Sequence, residues 1–312
     1  MNISTRHLLS IEDLSQTDVE LILQETKVFK AVSEREIKKV PTLRGRTVVN
    51  CFFEDSTRTH FSFELAEKRL SADVMNFTVK GSAMSKKGES LADTIRIIEA
   101  WKPSLWIVRH SQSGAPKFIS DLVQGRVINA GDGSHEHPTQ ALIDLFTIWE
   151  RKPALAGLSV GIVGDIAHSR VARSDILLFK KMGMNVFVGG PPTCIPVGIE
   201  SYGVTVVRDM REVIPQLDAL IALRIQKERM SEELFPSERE YATHFGINEQ
   251  SLANAKEDIL VMHPGPVNRG VELSPEVIDG PRSVILDQVT NGVAIRMAVM
   301  YLLMGEKNRR AS

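Results

Sequence analysis

Cysteine is nearly absent: Cys51 and Cys194 are the two in a chain of 312 residues. That excludes a disulfide scaffold and a cysteine-rich zinc site. No apolar run approaches the roughly 18 residues of a spanning helix, so no segment is expected to cross a bilayer. Excess positive charge is missing too. Lys+Arg number 38 against 39 Asp+Glu, a formal net charge of −1. The electrostatic footprint of a nucleic-acid binder is therefore absent, and nothing calls for an anionic membrane as partner. The opening MNISTRHLLSIEDLS has no basic stretch followed by an apolar one, so no signal peptide is expected. Repeats and low-complexity stretches are lacking as well. What is present is 43% hydrophobic residues, enough for a sizeable core. A soluble, cytoplasmic protein of two domains, or one large one, is the expectation.

Short apolar runs alternate with segments of helical period, the pattern of an α/β protein with parallel sheets. Strands are expected at 47–53, 74–77, 105–108 and 127–129. Helices should start after Ser15, after residue 58, near Leu91 and at Pro138, where Leu142, Leu145, Phe146 and Trp149 follow at helical spacing. RKPALAG, 151–157, interrupts the periodicity with Pro and Gly and is the best candidate boundary. A second α/β series follows, and a last helix spans roughly Gln288–Met304.

Several segments carry residues suited to chemistry. Glu54-Asp-Ser-Thr-Arg-Thr59 joins a buried strand to a helix. Helix N-termini present unpaired N–H groups and the positive end of the dipole to anions. Alone, the segment fits a phosphate cradle or an N-cap with a solvated arginine. Arg109-His110 ends a strand, where ligand crevices open in parallel sheets. In Gly131-Asp-Gly-Ser-His-Glu-His137-Pro-Thr-Gln140, His137 and Gln140 flank a helix start and can donate to a carbonyl oxygen. His135 and His137 lack a third ligand for a metal. Gly161-Ile-Val-Gly164-Asp165 is an incomplete dinucleotide fingerprint, with His168-Ser169-Arg170 where its last glycine would stand. Arg170 favours a small anionic substrate over a nicotinamide cofactor. Arg224 and Gln226 lie two apart at a strand end, hence on one side of an extended chain. Lys86-Lys87-Gly88 sits in a polar loop. Cys51, inside an apolar run, reads as a buried small hydrophobe.

STRT, SKKGES, RH, GDGSHEHPTQ, GDIAHSRVARS, LRIQKER and HPGPVNRG occur in that order. The series resembles the catalytic chain of aspartate carbamoyltransferases along essentially the whole sequence. STRT and HPTQ are shared by all transcarbamoylases. KKGES, RIQKER and HPGPVNRG favour aspartate over ornithine, and Gly265 stands where ornithine enzymes usually carry Cys in an HCLP turn.

The resemblance implies two α/β domains, each a mostly parallel sheet flanked by helices. Residues 1–150 would bind carbamoyl phosphate, with the C-terminal helix, about 288–312, returning to that domain. Residues 151–287 would bind aspartate. Ser56, Thr57, Arg58 and Thr59 would hold the phosphate, and Arg109, His137 and Gln140 the carbamoyl group. Arg170, Arg224 and Gln226 would bind aspartate, together with Lys87 of a neighbouring subunit in a homotrimer with shared sites. The backbone near Gly265 and Pro266 would receive the amine. Glu54 and Arg229 resemble members of an ion-pair set. No cofactor or metal is implied. A dihydroorotase or regulatory-chain partner, another amine acceptor such as ornithine, and a non-catalytic scaffold stay open as alternatives. Two positions depart from the family pattern. His60 stands where relatives often have Arg. Ala83 stands where they often have Ser, leaving Ser82 or Ser85 for that role.

Overall fold

The first apolar series folds as β1 (Thr47–Phe52), β2 (Asp73–Thr78), β3 (Leu105–His110) and β4 (Arg126–Asp132). All pairings are parallel, in the order β2-β1-β3-β4. The second series gives β5 (Ser159–Val163), β6 (Asn185–Gly189), β7 (Thr205–Val206), β8 (Ala219–Ala222) and β9 (Leu260–Met262). They are also parallel, ordered β7-β6-β5-β8-β9. The structure, a computed structural model, describes residues 2–78, 88–225 and 237–305. Two parallel sheets flanked by helices are what the alternating pattern predicted.

Strand order sets where ligands can sit. From β1 the chain crosses to β2 on one side and later to β3 on the other. The reversal leaves a crevice at the carboxyl ends of β1 and β3. In the second sheet the reversal lies between β5 and β8.

The described residues divide into two compact units. One takes the chain through Leu142 together with Asn291 onward, and the other is Ile143–Thr290. The first core gathers Val49, Cys51, Ile95, Trp106, Val108 and Ile119, all at most 1% exposed. The second gathers Ile214, Leu217, Leu220, Val261 and Leu273. Each such side chain contributes about 1.5–3 kcal/mol by leaving water. Cys51 is fully buried in β1, and burial pushes its thiol far above the usual range, as expected of a packing residue.

Local signals fix the helices. The first, α1 (Gln16–Glu34), opens on a reciprocal capping box between Ser15 and Asp18. The second, α2 (Thr57–Arg69), follows β1 directly. Three more precede the second sheet: α3 (Leu91–Glu99), α4 (Ala115–Ser120) and α5 (Pro138–Arg151). In the second unit α6 (Arg170–Lys181) is capped by Ser169, whose hydroxyl accepts from the Ala172 N–H at 3.1 Å. Past α7 (Glu238–His244) and α8 (Pro275–Ile278) comes the long α9 (Ile285–Met304). It starts three residues before the expected Gln288. Its later turns return to the first unit: Tyr301 meets Phe29 of α1 edge-on at 5.5 Å, and the Arg296 guanidinium lies 4.7 Å from the Phe63 ring centroid.

Candidate active site

In the first unit the candidate residues gather at the carboxyl ends of three adjacent strands. Phe52 at the end of β1 pairs with Arg109 of β3, and the Phe53 N–H donates to the Arg109 carbonyl at 2.8 Å. The Arg109 guanidinium donates to Glu54 at 2.8 Å and to the Ala130 carbonyl at 3.3 Å. Glu54, expected in an ion-pair set with Arg229, thus pairs with Arg109; Arg229 lies outside the described residues. Ser56 takes the N-cap position of α2 in an extended conformation but makes no side-chain capping bond. Of the two readings of STRT, the side-chain N-cap is therefore not realised. Thr57 and Arg58 are exposed in the first turn, and Thr59 is half-buried. The N–H groups of that turn add the positive end of the helix dipole.

His137 immediately precedes α5 and is 4% exposed; the Gln140 N–H donates to its carbonyl at 2.9 Å. Two acids that sequence reading passed over build the turn before it. Buried Asp132 accepts from the N–H groups of Gly114 at 2.7 Å and Glu136 at 3.2 Å, and from Asn129 Nδ2 at 2.8 Å. His135 Nδ1 stands 3.2 Å from both carboxylate oxygens of Asp132. Glu136, 1% exposed, takes the Ile11 N–H at 2.9 Å and the Ser10 hydroxyl. Gly133 adopts φ +46, and a Cβ there would stand 2.4 Å from the Ser113 hydroxyl. The two carboxylates accept backbone N–H groups that no regular ladder satisfies.

Behind α2 lies a chain of polar groups. His60 Nε2 is 3.1 Å from Asn76 Oδ1, and Asn50 Nδ2 donates to that same oxygen at 3.0 Å and to Glu67 at 2.8 Å. Glu67 is fully buried, and burial pushes its carboxyl up to about 8 against the opposing pull of Asn50. His60 also packs edge-on against Phe52 at 4.9 Å. His110 is drawn below the usual imidazole range by burial, opposed by the charges of Glu54 and Asp132.

In the second unit the candidates follow β5, β8 and β9, again neighbours. Gly164 adopts φ +134, and a Cβ would come within 3.0 Å of Leu223. A Cβ on Gly190 would stand 2.2 Å from the Gly164 carbonyl oxygen. These glycines let chain approach chain, which accounts for the partial fingerprint without a dinucleotide. Asp165 accepts from the His168 N–H at 3.2 Å and lies 2.8 Å from His168 Nδ1. Arg170, 3% exposed, is the first residue of α6. Arg224 is half-buried beyond β8. Past β9, the His263 N–H donates to Gln288 at 3.0 Å and the Gly265 N–H to His263 Nδ1 at 2.7 Å. Gly265 takes φ +67 and precedes a cis peptide to Pro266. Lys87, Gln226 and the loop serines Ser82 and Ser85 lie outside the described residues.

Each unit thus places arginines beside its sheet's switch point: Arg58 and Arg109 in the first, Arg170 and Arg224 in the second. Residues 6–150 match the model of the aspartate/ornithine carbamoyltransferase carbamoyl-P binding domain, and 156–303 that of the Asp/Orn binding domain. The aspartate carbamoyltransferase catalytic subunit of Syntrophus aciditrophicus is 55% identical over 300 residues, 96% of this chain and 97% of the relative. That of Desulfotalea psychrophila is 54% identical over 97% of this chain and 95% of the relative. Among solved structures, the aspartate transcarbamoylase of Trypanosoma cruzi in complex with carbamoyl phosphate superposes with a TM-score of 0.87 at 31% identity, covering 95% of each chain. The ornithine carbamoyltransferase of Pyrococcus furiosus does so at 0.85 and 28%, covering 98% of this chain and 99% of the other. Two family models that together span nearly the whole sequence, and relatives above 50% identity end to end, make this chain a member of the aspartate/ornithine carbamoyltransferase family.

Proposed function

We propose that the chain transfers the carbamoyl group of carbamoyl phosphate to the amine of L-aspartate, giving N-carbamoyl-L-aspartate and phosphate, a step toward pyrimidines. The carrying observation is the 55% identity, over 96% of the chain, to a catalytic subunit named for this activity. Residues 1–150 with 288–312 form the carbamoyl phosphate-binding domain, and 151–287 the aspartate-binding domain.

The amine attacks the carbamoyl carbon, a tetrahedral oxyanion forms, and phosphate leaves. Arg109, His137 and Thr59 stabilise the oxyanion, each well-placed donor contributing about 3–4 kcal/mol. Gln140 holds the carbamoyl group. Ser56, Thr57, Arg58 and the N-terminus of α2 take the charge that develops on the departing phosphate. Arg170, Arg224 and Gln226 grip the aspartate carboxylates, so that binding energy serves orientation. The backbone at Gly265 and Pro266 receives the amine, and the leaving phosphate takes its proton. No cofactor or metal enters this scheme. Lys87 arrives from the adjacent subunit of a homotrimer, and the enzyme works in the cytoplasm.

Assay of the purified protein with carbamoyl phosphate and either L-aspartate or L-ornithine tests the reading. Carbamoylation of aspartate alone is expected. Turnover with ornithine alone, or with neither amine, overturns it.

A further inference from the structure

Two of the chain segments that form the proposed acceptor side follow neighbouring strands. Arg224 and Ile225 follow β8, whereas His263–Pro266 follow β9. One side chain ties them together. Glu272 is 1% exposed and belongs to no helix or strand. Its Oε1 accepts from the Ile225 N–H at 3.0 Å and from Asn268 Nδ2 at 2.6 Å. Its Oε2 accepts from the Asn268 N–H at 2.7 Å. The Oε2 atom also lies 3.9 Å from His263 Nε2. His263 Nδ1 already accepts from the Gly265 N–H, which leaves Nε2 as the protonated nitrogen facing the carboxylate.

Among the described residues no lysine or arginine pairs with Glu272. Burial raises its carboxyl, and the three N–H donors pull it back. Burying a carboxyl with no cation beside it is costly, and for packing alone an apolar residue of the same volume serves better. What the carboxylate supplies is a rigid clip: Oε1 takes the Ile225 N–H together with Asn268 Nδ2, so both segments meet on one oxygen, while Oε2 takes the Asn268 N–H and faces His263.

We propose that Glu272 is a positioning residue for the amino acceptor, its carboxylate fixing the spacing between the strand end at Arg224–Ile225 and the loop at His263–Pro266. The assignment rests on the aspartate reading of this site. Glu272 touches no substrate in this role; it acts through the two segments that do. Carbamoyl phosphate binding, carried by the first unit, lies beyond its reach.

Three variants separate spacing from charge and from simple folding. Glu272→Gln keeps the shape but turns the Oε2 acceptor into a donor facing the Asn268 N–H. Glu272→Asp keeps the charge but is one methylene short of spanning both segments. Asn268→Ala removes one donor and leaves the carboxylate. Steady-state kinetics with L-aspartate are combined with calorimetric titration of carbamoyl phosphate into each folded variant. The Gln and Asp variants are expected to raise the aspartate KM at least tenfold, well beyond any fall in kcat, with carbamoyl phosphate affinity within twofold of wild type. Asn268→Ala should move the same parameter by threefold or more, and it decides the matter if the Glu272 variants do not fold. Aspartate KM within twofold of wild type, rescue by Asp, or equal losses on the carbamoyl phosphate side would overturn the proposal. A wild-type protein inactive with aspartate overturns the acceptor reading instead, a result visible before any variant is made.

Discussion

Glu67 shows how one buried group couples the fold to pH. Its carboxyl is pushed up to about 8, against an ordinary value near 4.5 in the unfolded chain. Between those values the native protein holds a proton that the unfolded chain has lost, so stability falls as pH rises through the window and is unaffected below it. Glu67→Gln keeps the Asn50 contact without the ionisation. Its unfolding free energy from urea titration should match wild type near pH 4.5 and exceed it at pH 8, by on the order of a few kcal/mol. A constant gap across that range would mean Glu67 is not protonated in the native state. Arg58 is the opposite kind of residue, exposed at a helix start, so Arg58→Ala should leave the melting temperature nearly unchanged. Turnover at saturating substrates should drop by about 10²–10³; near-normal turnover contradicts its role at the leaving phosphate. The places of Arg58 at a helix start and Arg109 near a strand end were legible in the sequence, because each lies where an apolar run gives way to polar residues. Asp132, Glu136 and Glu272 were not. Their partners are backbone N–H groups of residues such as Gly114, Ile11 and Ile225, and main-chain donors leave no mark in a sequence.

Helices α5, α6 and α9 meet through polar side chains inside the second unit. Gln288, in the first turn of α9, donates to Asp144 of α5 at 2.7 Å. Asp175 of α6 faces the same Asp144, and both carboxyls are fully buried. Burial first, and then the neighbouring carboxylate, hold Asp175 well above the usual range. Two carboxyls so placed share a proton. Asp175→Asn supplies a permanent donor in its place. Above pH 3.8 the wild type binds a proton on folding that the variant does not need, so the variant's advantage in thermal unfolding should grow from pH 5 to pH 8. An equal loss at both pH values would show that the contact needs no shared proton. Element boundaries read less well than element types. The first turn of α9 exposes Leu286 and Val289, which scrambles the apolar period that otherwise marks a helix. The two-residue β7 carries too little pattern to be seen at all. Strands β1, β3 and β4 were plain because residues buried on both faces read as continuous apolar runs.

For the assembled molecule, the trimer reading predicts that each working site draws Arg58 from one chain and Lys87 from the next. Homotrimers of Arg58→Ala and of Lys87→Ala should both be nearly inactive. Mixed and reassembled in equal amounts, about three quarters of random trimers contain both chains, each with one intact junction in three, so roughly a quarter of wild-type activity should return. No recovery, with hybrids confirmed by native mass spectrometry, would mean that Lys87 serves its own chain. The two α/β series were legible across the whole chain from their apolar rhythm, while the dependence of the first unit on residues beyond Asn291 rested on resemblance, since no local pattern announces which core a helix will join. That dependence has a consequence in time. A ribosome releases the chain from its N-terminus, so by the time Thr290 is exposed the second unit has every residue it needs, whereas the first, begun earlier, still waits for its closing helix. The part made first is the part finished last. A nascent chain arrested there should hold a protease-resistant second unit beside a first unit that stays cleavable until the whole of α9 has emerged.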